Sequence, residues 1–79
     1  MTSEKTKKLK TYAAAADAAS AAEKIIRENL TALGAMASTP LEERDLQCAV
    51  ARARCLLSEV AGLRTLRRRE KAAWGALIR

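Results

Sequence analysis

With 79 residues the chain has room for one domain, and a domain this small gains little from a single core. Its apolar content is mostly alanine, it has no Phe, and Tyr12 and Trp74 are its only aromatics, so the composition predicts a fold that leans on another chain. The formal charge is +6, there is no histidine, and no run of about 20 apolar residues exists to span a bilayer.

The chain opens with Lys5, Lys7, Lys8 and Lys10 followed by alanines, a faint echo of a secretory leader. Asp17, and the absence of Leu, Val or Phe between residues 13 and 22, make this a poor leader core, and a cytoplasmic location is expected. Ala, Leu, Lys, Arg and Glu are strong helix formers, and no β-branched alternation interrupts them, so a first helix is predicted over about residues 4–33. Leu9, Tyr12, Ala16, Ala19, Ile26, Leu30 and Leu33 supply its apolar stripe, with Glu23 as a polar intrusion.

Punctuation is concentrated between Gly34 and Pro40. Gly34 is suited to end a helix in the left-handed conformation, and Thr39-Pro40-Leu41-Glu42 reads as a capping box with proline at the first helical position. The expected turn is residues 34–40, and the second helix runs over about 40–77. Its apolar spacing is close to a heptad, Leu46, Ala49, Ala53, Leu56, Val60 and Leu63, broken at Arg67 and Glu70 and resumed at Trp74 and Leu77. The fold class predicted is therefore all-α, a two-helix antiparallel hairpin of coiled-coil type that assembles with further helices. A second stripe on that helix, Cys48, Ala51, Cys55, Ser58 and Gly62, is small throughout. It is either a second packing surface for another helix or a solvated face on which alanine serves as a helix former. Cys48 and Cys55 lie two helical turns apart, about 10 Å, too far for a disulfide within one helix, and read as free thiols in a reducing compartment.

Charge is the feature that points most clearly to a partner. Lys5, Lys7, Lys8 and Lys10 with Arg64, Arg67, Arg68, Arg69, Lys71 and Arg79 make ten of the fifteen basic residues, and the stretch between them is mildly acidic. A bend near residue 36 is expected to bring Lys5–Lys10 level with about Arg64–Arg69, giving a rod with one cationic tip. Nucleic-acid phosphates, an acidic protein or lipid surface, or simple solvation each account for such a tip. Interleaved aromatics for base stacking and a helix-turn-helix pattern are both lacking. No phosphate loop, nucleophile elbow or metal-ligand set is present, so neither an enzyme, a cofactor nor a small-molecule substrate is expected.

The stretch STPLEERDLQCAVARARCLL resembles the small two-helix proteins of bacterial type III secretion, in particular the needle co-chaperones. There a proline-containing loop leads into a helix carrying Leu-Gln and Ala-Arg-Ala, here Leu46-Gln47 and Ala51-Arg52-Ala53. Needle subunits share a Leu-Gln-x-Ala-Val-like segment after a proline, matched by Leu46, Gln47, Ala49 and Val50 behind Pro40. The resemblance implies a helical-repeat chaperone as partner and a needle subunit as joint cargo. Other expectations are a small basic helical dimer that binds nucleic acid and a structural filament subunit.

Overall fold

A computed structural model describes residues 3–79 and shows an all-α antiparallel hairpin, α1 over Glu4–Met36 and α2 over Glu43–Ile78. Among the described residues there is no strand, and no helix is long and apolar enough to cross a membrane. The rod measures 60 × 17 × 15 Å.

Local chemistry sets the helix ends. Ser3 caps α1, its hydroxyl accepting from the Thr6 backbone N–H at 3.1 Å. At the other end Gly34 does not terminate α1: no glycine has positive φ, and the helix runs on to Met36. Its last carbonyls are served by local donors instead. The Ala37 N–H reaches Leu33 and Gly34 at 3.2 Å, and the Ser38 hydroxyl donates to Ala35 at 2.9 Å. Thr39 is spent in the same way on Met36, at 3.4 Å, and so does not cap α2. That role passes to Glu42, whose backbone N–H donates to the Asp45 carboxylate at 3.0 Å in a capping box three residues later than expected. Glu43 and Asp45 in the first turn also suit the positive end of the helix macrodipole.

The two helices meet along residues spaced alternately by three and four, the pattern of a left-handed helical pair. On α1 these are Tyr12, Ala15, Ala19, Ala22, Ile26, Asn29, Leu33 and Met36. Ala19 is fully buried, and Ala22 and Asn29 nearly so. On α2 the inward positions are Ala49, Arg52, Leu56, Glu59, Leu63, Leu66, Glu70, Ala73 and Leu77, all half-buried. Ala49, Leu56 and Leu63 therefore face α1 as their spacing predicts. Leu46, Ala53 and Val60 do not: they are exposed, and Arg52 and Glu59, the residues before the last two, point inward, whereas Trp74, half exposed, still packs on Tyr12 of α1. Long polar side chains fill two of those inward places: Arg52, whose guanidinium donates to Asn29 of α1, and Glu59, each with a stem that can pack on the partner helix.

Asn29 anchors the register. Its Nδ2 donates to the Ile25 carbonyl at 3.0 Å, and its Oδ1 accepts from Arg52 at 3.4 Å across the hairpin. Nothing in the sequence stripe singled out this pair, since a lone Asn behind Arg27 and Glu28 reads as solvated. Its place in the three-four series beginning at Tyr12 is the signal that locates it.

Candidate interaction surfaces

The shift of the turn from residues 34–40 to 37–42 changes which charges come together. Tyr12 packs against Trp74, ring centroids 5.3 Å apart, so Lys5–Lys10 lie beside the last turn of α2 and not beside Arg64–Arg69. An open groove at the tip is lined by Lys5, Lys8, Trp74, Leu77 and Arg79, with Glu4 and Ile78. Arg64–Lys71 form a separate band about 18 Å further along the rod, opposite Ala15–Glu23. The single cationic tip is thus corrected to a graded half-rod.

Within that band Arg67 is tied down. It donates to Glu23 across the hairpin at 2.5 Å and to Glu70 on its own helix at 3.0 Å. Glu23 also accepts from Arg27 at 2.7 Å, and that hydrogen bond and charge hold its carboxyl below the usual range against the opposing effect of burial, with Arg67 adding to them. Lys5, Lys7, Lys8, Lys10, Arg64, Arg68, Arg69 and Lys71 take part in no ion pair among the described residues.

The small stripe faces water. Cys48, Ala51, Cys55, Ser58 and Gly62 are all exposed, and a Cβ built at Gly62 meets nothing within 4 Å. Both cysteines are free thiols, and Cys55 Sγ lies 3.6 Å from Asn29 Nδ2.

Larger side chains crowd the opposite flank of α2. Leu46, Val50, Ala53, Leu57 and Val60 follow one another by alternate steps of four and three, and all are exposed, Leu57 by 73%. Leu30 on α1, one heptad beyond Glu23, lies on the same side, because Glu23 reaches Arg67 there, and it is also exposed. Val50 and Leu57 belong to neither the heptad nor the small stripe that the sequence suggests along α2. Among the described residues no three His, Cys, Asp or Glu side chains gather so as to hold a metal ion. No family model, curated protein or solved structure matches this chain.

Proposed function

We propose that this chain is a non-enzymatic helical adaptor that binds another protein through the outer face of α2. One observation carries the reading: Arg52, Glu59 and Glu70 occupy inward positions while Leu46, Val50, Leu57 and Val60 face outward. A sequence selected only to close its own hairpin has no reason to place its polar and apolar residues that way round. Burying the outer stripe against a second apolar helix recovers about 25 cal/mol per Å² of the surface removed from water. The resemblance of residues 38–57 to type III needle co-chaperones favours a helical-repeat chaperone as the partner and a needle subunit as the cargo held before export. The exposed free thiols fit a reducing cytoplasm.

Affinity capture from the native cell tests this when the wild type is compared with Leu57→Asp. The expected result is a helical-repeat protein retained by the wild type and lost by the variant at unchanged helicity. Equal retention by both overturns the reading.

A second reading has the unpaired cations grip a polyanion such as nucleic acid, favoured by the lysines and arginines that make no ion pair among the described residues. It requires binding that falls steeply with salt, as counterions are displaced from several phosphates. Replacing Arg68, Arg69 and Lys71 with Ala, which spares the structural Arg67, would then abolish capture while Leu57→Asp would not.

A further inference from the structure

The exposed stripe on α2 is bracketed by charges of opposite sign. Glu43 precedes Leu46 by three residues, and Arg64 follows Val60 by four, so both continue the same three-four spacing along the helix surface. Neither takes part in an ion pair among the described residues.

Read in reverse, the stripe complements itself. When two copies of α2 cross antiparallel with Ala53 facing Ala53, Leu46 falls opposite Val60, and Val50 within one residue of Leu57. Glu43 then falls within one residue, about 1.5 Å along the axis, of Arg64. Every pair off the axis occurs twice, and the Ala53 pair on it once, as a two-fold axis demands of an isologous interface. The smallest side chain sits on the axis, where helices approach most closely, and the larger ones flank it. Leu30 of α1 widens the apolar area on the same side. We infer that the outer face of α2 is a two-fold interface with a second copy of this chain, centred on Ala53 and closed at each end by Glu43 and Arg64.

The long-range charges agree with this offset. Ala53 lies about 20 Å from the loop end of the 60 Å rod, so the paired rods overlap by about 40 Å and span about 80 Å. The two lysine-rich ends then point in opposite directions, many times the Debye length of about 10 Å apart, and do not repel each other. A parallel pairing through the same stripe places them side by side. The antiparallel register also sets the cationic Arg64 of each copy beside the acidic start of α2 in the other, where Glu42, Glu43 and Asp45 gather.

This pairing rests on the reading of that face as a docking surface, and it makes the self-pair the state displaced when a helical partner binds. Sedimentation equilibrium and small-angle scattering of the full chain, with circular dichroism as a check on folding, test it. The wild type is expected to dimerise with a maximum dimension of about 80 Å. Glu43→Arg and Arg64→Glu should each weaken the dimer about tenfold by opposing like charges at both ends, and the double exchange should restore it. Ala53→Glu, which sets two carboxylates face to face on the axis, should give a helical monomer.

A wild type that stays monomeric at about 100 μM, a dimer no longer than the 60 Å rod, or a double exchange that fails to restore pairing would each overturn the inference. These outcomes are separable from the fate of the adaptor role. A monomer whose helical partner is lost on Leu57→Asp removes the self-pair and leaves the adaptor standing; a partner retained by Leu57→Asp removes the adaptor.

Discussion

Glu23 on α1 and Arg67 on α2 are joined across the hairpin at 2.5 Å, midway along the rod and beside an almost all-alanine stretch of the helix contact. With Arg27 and Glu70 they form a chain of alternating charge that crosses from one helix to the other. The pair fixes the register where Ala15, Ala19 and Ala22 offer little shape to do so.

This network makes stability depend on pH. The folded state holds the Glu23 carboxyl below its usual value of 4.5, chiefly through Arg27 and then Arg67. A group whose pKa is lowered by folding stabilises the fold above its unfolded pKa, and that contribution is lost as pH falls through the folded value. Melting temperature should therefore drop as pH falls below 4.5. Glu23→Gln should flatten that dependence. Thermal melts of both chains between neutral and acid pH are the check.

The cap of α2 distinguishes two neighbouring side chains. Asp45→Ala removes the acceptor of the Glu42 N–H and should cost about 1 kcal/mol. Thr39→Ala removes only a long bond to Met36 at the far side of the turn and should stay within about 0.5 kcal/mol. Urea unfolding of the two variants reads the difference.

Asn29 is nearly buried, and its amide bonds both to its own helix and to Arg52. Asn29→Ala should cost about 1–2 kcal/mol, because the Ile25 carbonyl loses its extra donor and Arg52 loses its acceptor in the contact. Ala19→Leu, at the fully buried point of the contact, should cost about 1–3 kcal/mol by forcing the helices apart. Ala51→Leu on the exposed small stripe should stay within about 0.5 kcal/mol. Denaturant midpoints rank the three.

The two helices and their single turn were legible in the sequence because helix propensity, heptad spacing and the loop residues all agree there. Two details were not. Thr39 and Glu42 match a capping box, yet Glu42 and Asp45 match one equally well, and the competition is decided by Ser38 and Thr39 closing the end of α1. That moves the turn, and with it every cross-hairpin pairing toward the tip. The inward face of α2 was half-legible for a different reason. Apolar periodicity follows Leu46, Ala53 and Val60, but the inward places beside the last two are held by Arg52, which bonds Asn29 across the hairpin, and by Glu59. Leu46, Ala53 and Val60, so displaced, join Val50 and Leu57 in the outer stripe, so the misplaced half of the heptad is part of the candidate docking surface.

Leu57 is 73% exposed in the hairpin, so it adds little to the fold of one chain and, on this account, much to association. The most direct test is the melting temperature of the wild type and of Leu57→Asp as a function of protein concentration, since association with a second copy stabilises only the associated fold. The account predicts a wild-type melt that rises with concentration, and a Leu57→Asp melt that does not and that matches the dilute wild type. A variant that melts well below the dilute wild type, or that keeps the same concentration dependence, would contradict the assignment of this face to a partner.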